Sequence, residues 1–299
     1  MPDHPLRWGA EALWEQLSPL LPGLSVEVVA RISSTNTALL ERARVVAPAA
    51  EEGDVAQARR SGEGTAFGRR AADLQPCLLV AEHQTHGRGR QGRVWQAAPG
   101  ASLTFSLALP LAPPDWSGLS LAVGVALADA LDPPADGTVA RLGVKWPNDL
   151  LVLDGDAGRK LGGILIETVA AGARRLAVIG VGINVTPLSG AADNAGYASV
   201  QEFDREATAP QVLARVAQPL VAAVLRFERE GFAGIAADFA RRDVLRGRAG
   251  RTTLPEVPEG VALGVTTAGA LRVQAPGGTV HDVGSGEVSV RLRPDGETP

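Results

Sequence analysis

Gly87-Arg88-Gly89-Arg90-Gln91-Gly92-Arg93 packs three glycines and three arginines into seven residues, and Trp95 follows closely. Glycine lets a backbone adopt positive φ or approach a ligand closely. Arginine supplies a forked, permanently charged donor suited to phosphate or carboxylate. No acid within the stretch neutralises it. Three readings fit: an anion-binding loop that orders on its ligand, a solvated basic turn, or an arginine–glycine RNA-binding segment with an aromatic platform. The stretch lacks the Gly-Lys-Ser/Thr ending of a phosphate loop, and it is not a G-x-G-x-x-G fingerprint opening a helix.

A second cluster is Lys145-Trp146-Pro147-Asn148-Asp149, with Arg159-Lys160-Leu161-Gly162-Gly163-Ile164 beyond it. Lys145 and Lys160 are the only lysines, against 27 arginines. Two lysines that survive so strong a bias toward arginine point to a need for a compact ammonium, which can sit between a carboxylate and a phosphate. Asn148 and Asp149 could hold a metal or make an Asx-turn. Third, Gly180-Val181-Gly182-Ile183-Asn184 ends an apolar run, where glycine permits close approach of a ligand or marks a packed bulge. His4, His83, His86 and His281 show no metal-ligand spacing, and no G-x-S-x-G or H-E-x-x-H motif occurs. Covalent nucleophilic catalysis is therefore disfavoured. Glycine, arginine and lysine converging on anions suit phosphoryl or nucleotidyl chemistry run by positioning and charge stabilisation.

The elements that must carry these residues are readable in outline. Residues 1–30 form a short amphipathic lead-in. Ser34-Thr35-Asn36-Thr37 caps a following helix. Residues 47–76, rich in Gly, Ala and charge, are a long surface loop or insertion. Apolar runs at 77–82, 101–109 and 175–185 predict strands, and 117–131 predicts an apolar helix ended by Pro133-Pro134. Residues 144–153 and 161–169 predict two strands of a hairpin. Thr208-Ala-Pro-Gln211 is a capping box opening a helix to about residue 230, which Pro219 should kink; a second helix covers 231–243. From 244 onward short β-like stretches alternate with Gly and Pro turns, predicting a small all-β module.

Composition sets the outer bounds. The chain has 299 residues, 45% hydrophobic and 21% charged, which supports a large domain plus a small one. The net charge of −4 removes any global basic field for nucleic acid or an anionic membrane. Cys77, the only cysteine, excludes an internal disulfide framework and points to a reducing cytoplasm. No apolar run is long enough to span a membrane, and the polar start does not read as a signal peptide.

Taken in order, S-S-T-N-T (33–37), E-H-Q-T-H-G-R-G-R-Q-G-R-V-W (82–95), K-W-P-N-D-L (145–150), R-K-L-G-G-I-L-I-E (159–167), G-V-G-I-N-V (180–185) and G-E-V-S-V-R (286–291) resemble the biotin–protein ligases. The resemblance implies an α+β fold: a class II tRNA-synthetase-like mixed sheet with flanking helices over 1–243, and a small C-terminal SH3-like β-barrel over 244–299. It implies activation of biotin by ATP and Mg2+ to biotinyl-5′-AMP, then transfer to a lysine of a biotin carboxyl carrier domain. By matching position, Ser34, Thr35, Asn36, Gln84, Arg88, Gly89, Arg90, Lys160 and Gly162 would bind biotin. Gly87, Arg93, Trp95, Lys145, Asn148, Asp149, Asn184 and Arg291 would line the ATP side. Lys160, Arg88 and Arg90 would be catalytic, with Lys160 bridging the biotin carboxylate and the α-phosphate, and Glu287 would pair with Arg291 toward the active site. Magnesium is expected through the ATP phosphates. The 47–76 insertion is longer than the family pattern suggests. The roughly 30 residues before the first motif are too few for the DNA-binding winged helix of some members, so a ligase-only form that binds neither DNA nor membrane is expected, with monomer and homodimer both left open. Two alternatives stand beside this reading: a lipoate- or octanoate-handling ligase of related fold, and an RNA-binding module using the Arg/Gly loop.

Overall fold

The computed structural model describes residues 6–45, 64–67, 74–135, 137–154, 158–171, 174–187, 196–284 and 291–292. Most of the 47–76 insertion, and Glu287, lie outside the described residues. In chain order the elements are α1 (Ala10–Leu17), β1 (Ser25–Ile32), α2 (Thr35–Val45), β2 (Gly64–Phe67), β3 (Cys77–Gln84), β4 (Gly87–Arg88), β5 (Val94–Trp95), β6 (Ser102–Leu111), α3 (Leu119–Leu131), β7 (Leu142–Lys145), β8 (Asp149–Val152), β9 (Arg159–Ala171), β10 (Arg174–Asn184), α4 (Ala209–Glu230), α5 (Ala236–Arg242), β11 (Ala249–Arg251), β12 (Glu259–Val265), β13 (Leu271–Gln274), β14 (Val280–Val283) and β15 (Arg291–Leu292). They fall into two compact units: Met1–Ala112, Leu165–Thr186 and Thr208–Ala214 form the first; Pro113–Ile164, Pro187–Ala207 and Arg215–Pro299 form the second.

In the first unit the strand order is β2-β1-β3-β6-β10-β9, the last from its C-terminal half. Strand β1 runs parallel to β3; β3–β6 and β6–β10 are antiparallel, so the sheet is mixed. Strand β6 (SLTFSLALPL) is buried along almost its whole length, as befits a central strand covered on both faces. Helix α2 presses Leu39, Leu40 and Ala43 onto Cys77, Leu79, Ala108, Leu176 and Val178. Trp8 and Trp14 anchor the lead-in, their indole N–H groups donating to Glu82 at 3.0 Å and to the Leu24 carbonyl at 3.0 Å. Residues 1–30 thus hold more than a lead-in: Ser25–Ile32 is an interior strand.

In the second unit β9, β8 and β7 are successive antiparallel neighbours. The stretch 144–153, expected as one strand, is two. Pro147, which has no N–H to give a ladder, sits in a turn after a cis Trp146–Pro147 bond, and Lys145 pairs with Asp149 across it. Helix α3 is apolar over most of its circumference, Ser120 and Asp129 apart, and is correspondingly buried. A Cβ at Gly124 would press to 2.9 Å of Val144 and 3.5 Å of Ile164, so the helix lies close on β7 and β9. Helix α4, whose first residues to Ala214 belong to the first unit, opens on the expected cap, with Thr208 N and Oγ1 donating to Gln211 Oε1 at 2.9 and 2.8 Å, and continues through Pro219 as one helix. Where a single helix was expected over 231–243, a short turn carrying Phe232 precedes α5; Phe232 and Phe239 meet edge to face at 5.9 Å.

The C-terminal stretch forms a five-stranded antiparallel sheet, β14-β13-β12-β11-β15, with a register shift in β12 between Ala262 and Gly264. Among the described residues it does not close into a barrel.

Candidate active site

The floor of the first unit's site is laid by two neighbouring strands. Across the β6–β10 register, Ser106 faces Gly180, Thr104 faces Gly182 and Ser102 faces Asn184. Directly opposed residues share a face, so these six small or polar residues line one side of an otherwise apolar sheet. A Cβ on Gly180 would collide with the Asn36 amide, and one on Gly182 with the Trp95 ring. The Gly-Val-Gly spacing is therefore steric: each glycine clears the strand backbone for a side chain laid across it.

Over this floor runs a continuous polar chain. Ser34, Thr35 and Asn36 occupy the entry to α2 and are buried. Gln84 Oε1 accepts from the Thr35 backbone N–H at 2.7 Å and from Thr35 Oγ1 at 3.1 Å. Thr35 Oγ1 and Ser106 Oγ lie 2.6 Å apart, and Ser106 donates to Asn36 Oδ1 at 2.6 Å. Asn36 Nδ2 donates to the Leu165 carbonyl at 3.1 Å and to Glu167 Oε2 at 3.0 Å. Glu167 Oε1 accepts from Arg88 at 2.7 Å, and Arg88 also donates to Thr37 Oγ1 at 3.1 Å. Asn36 therefore gives both its donors to the protein. Ser34 Oγ accepts from the Thr37 N–H at 3.4 Å, while its own proton, like the Gln84 Nε2 protons, finds no acceptor among the described residues.

The Gly/Arg stretch is a hairpin. Strands β4 and β5 pair Gly87 with Trp95 and Arg88 with Val94, and the Gly89 N–H closes on the Arg93 carbonyl at 2.7 Å. A Cβ at Gly87 would strike the Trp95 carbonyl. At the tip Gln91 has φ 55° and Gly92 φ 73°. The aromatic of the hairpin, Trp95, is half-buried and lies across Gly182.

The second unit holds the lysine cluster. Lys160 Nζ pairs with Asp149 Oδ1 at 2.7 Å. Both polar groups of the Lys160 backbone are held by one segment: its N–H donates to the Gly196 carbonyl at 2.7 Å, and its carbonyl accepts from Ala198 N–H at 2.9 Å. A Cβ at Gly163 would touch Lys160 Nζ at 3.5 Å and Asp149 Oδ1 at 3.6 Å. Asn148 spends its Nδ2 on the Ile164 carbonyl at 2.8 Å, and its own carbonyl accepts the Ile164 N–H at 3.0 Å. That clamp seats the turn against β9. Gly162 lies opposite Leu150, and Lys145, half-buried, borders the turn. Beside this cluster Arg159 binds Asp154 and Glu202. Its guanidinium holds the Glu202 carboxyl below the ordinary range, against a smaller opposing effect of burial. Arg291 belongs to β15.

Ser106, Thr37 and Glu167 were not among the expected site residues. The signal for Ser106 was present: Ser102, Thr104 and Ser106 recur at period two within an apolar strand, which marks one polar face.

Comparison with known proteins decides the family. Residues 70–184 match the biotin/lipoate A/B protein ligase family, and residues 251–291 match the biotin protein ligase C-terminal domain. The chain is 33% identical to the biotin–[acetyl-CoA-carboxylase] ligase of Mycobacterium tuberculosis, over 95% of this chain and 92% of that one. The chain belongs to the biotin protein ligase family. It is also 31% identical to the bifunctional ligase/repressor BirA of Escherichia coli, over 93% of this chain and 77% of that protein. Among solved structures, the biotin protein ligase of Aquifex aeolicus in complex with biotin and ATP aligns with TM-score 0.64 at 22% identity, covering 90% of this chain and 99% of that one, a likeness of fold. This ligase thus shares its fold with a protein that binds biotin and ATP.

Proposed function

We propose that the protein is a biotin–protein ligase. It activates biotin with MgATP to biotinyl-5′-adenylate and transfers biotin to a lysine of a biotin carboxyl carrier domain. In the first step a biotin carboxylate oxygen attacks the α-phosphorus and pyrophosphate leaves. In the second the lysine amine attacks the acyl carbon and AMP leaves. The observation that carries the reading is the buried Ser34–Thr35–Asn36 run with half-buried Gln84 beside it, laid over small residues and joined to an arginine hairpin. A ureido ring is flat, and its oxygen wants several donors; Ser34 Oγ and Gln84 Nε2 have donors to give.

On this reading Arg88, Gly89 and Arg90 close over biotin and the adenylate, while Gly87, Arg93, Trp95 and Asn184 serve the nucleotide with Lys145, Asn148, Asp149 and Arg291. Lys160 offsets the repulsion between carboxylate and α-phosphate. Magnesium arrives on the ATP phosphates. The hairpin's exclusion of water would protect a hydrolysable acyl-adenylate. We place the catalytic part in 1–243 and an accessory C-terminal module in 244–299, supported by a sheet built wholly from Ala249–Leu292. No described helix is long and apolar enough to cross a membrane; with one buried cysteine, we propose a cytoplasmic location.

The test incubates purified protein with MgATP and biotin, lipoate or octanoate, and measures acyl-adenylate by mass spectrometry. Biotinyl-adenylate alone is the expected product. Lipoyl- or octanoyl-adenylate would move the protein to the other branch of its family, and no adenylate with any acid would refute the ligase reading.

A further inference from the structure

Three elements of the first unit meet at one carboxylate. Glu167, on β9, gives Oε1 to Arg88 of β4 at 2.7 Å and Oε2 to Asn36 of α2 at 3.0 Å. Arg88 uses its other terminal nitrogen on Thr37 Oγ1 at 3.1 Å, in the first turn of the same helix. Arg88 is 45% exposed and Glu167 24%. An ion pair that wet adds little to folding stability. Its effect is geometric, because a guanidinium fork held at two points fixes the direction of its side chain and hence the lie of its strand. The same carboxylate also sets the Asn36 amide. With Nδ2 drawn to Glu167 and Leu165, Oδ1 must face Ser106, and the chain runs on to Thr35 and Gln84.

We propose that Glu167 is a positioning residue of the ligase. Its carboxylate ties the β4–β5 hairpin to the Ser34–Thr37 turn, and so governs how long the bound acyl-adenylate is retained. This rests on the ligase reading above. Glu167 acts through Arg88 and Asn36 and touches no reacting atom. A glutamine keeps the size of the side chain but cannot serve both partners, because its Nε2 would meet a donor. An aspartate keeps the charge but is one methylene too short to span them.

The experiment compares wild type with Glu167→Gln and Glu167→Asp in three measurements. These are the release rate of preformed biotinyl-adenylate, the KM for biotin against kcat for adenylation, and tryptic cleavage of the ligand-free hairpin at Arg88, Arg90 and Arg93, followed by mass spectrometry. Losing one charge-assisted hydrogen bond should speed adenylate release about tenfold in Glu167→Gln. KM should rise by a larger factor than kcat falls, and hairpin cleavage should quicken. Glu167→Asp should fall between wild type and Glu167→Gln, and it carries the comparison if the glutamine variant does not fold. Release and cleavage at wild-type rates overturn the proposal, and so does a loss confined to kcat. A wild-type protein that makes no biotinyl-adenylate overturns the ligase reading instead, and the tryptic comparison then still decides whether Glu167 holds the hairpin.

Discussion

Lys160 shows how a single charge can be prepared for chemistry. Both its backbone N–H and its carbonyl are held by residues 196–198, so the side chain leaves from a fixed base. Its ammonium already rests on an anion, Asp149, at 2.7 Å. A carboxylate and an α-phosphate brought beside it would share an ammonium that the fold already holds in place, and a charge held in place stabilises developing negative charge at small reorganisation cost. Lys160→Ala should therefore cut biotin-dependent pyrophosphate–ATP exchange by about 10²–10³-fold. Lys160→Arg should rescue little of it, since a planar fork is not a compact point charge. An exchange rate near wild type in the alanine variant would remove Lys160 from the adenylation step. Lys160 stood out in the sequence because lysine is rare there. Glu167 did not, because one acid inside an apolar strand looks like an ordinary surface residue until the fold brings it to Asn36.

Arg242 ties elements together rather than doing chemistry. Nearly fully buried on α5, it donates to Asp129 and Asp132 at the end of α3, each at 2.8 Å, to the Asp132 carbonyl at 2.5 Å, and to the Leu142 carbonyl at the start of β7 at 3.0 Å. Burial alone would raise the Asp132 carboxyl. The Leu142 N–H, the Arg242 guanidinium and the Arg141 N–H outweigh it, and the net shift is downward. A depressed acid stabilises the fold fully above its unfolded value, about 3.9, and that contribution drains away as pH falls through the folded value. Arg242→Met should cost about 2–3 kcal/mol at neutral pH by leaving two half-buried carboxylates and the buried Leu142 carbonyl without their donor, and its deficit should shrink in acid. Urea titrations at neutral pH and near pH 3 measure both, and a deficit that stays constant with pH would mean Asp132 is not the group in play. Elements with a clean period were readable beforehand: α2, β3, β6, α3, β10 and α4 all fall where apolar pattern and caps put them. Strand β1 was not, because SVEVVARI mixes polar and apolar residues without strict alternation. The split of β7 from β8 turned on Pro147 alone.

At the scale of the molecule, the boundary near residue 244 marks a change of sequence texture, yet packing crosses it. The second compact unit takes Arg215–Pro299 together with Pro113–Ile164. Trp146, 1% exposed, donates its indole N–H to the Gly269 carbonyl at 3.2 Å. The Gly269 backbone comes so near Gly118 that a Cβ on Gly269 would stand 2.8 Å from the Gly118 Cα, and a Cβ on Gly143 would collide with Val244. Apolar surface matched this closely has no partner once the C-terminal sheet is gone, and uncovering a large apolar side chain costs about 1.5–3 kcal/mol. A chain ending at Asp243 should therefore melt about 5–10 °C below the full chain, with Trp fluorescence shifted toward that of solvent-exposed indole. A small sheet of some 50 residues is itself marginal alone, so a separately expressed 244–299 fragment should fold only when the 1–243 fragment is added. If the truncated chain instead melts cooperatively at the full-length midpoint with a buried Trp spectrum, the C-terminal sheet is an appendage. If it behaves as expected, the KWPND turn that carries Asn148 and Asp149 owes its shape to residues more than a hundred positions away, and damage to the C-terminal sheet should be felt at the lysine cluster without touching any of its residues.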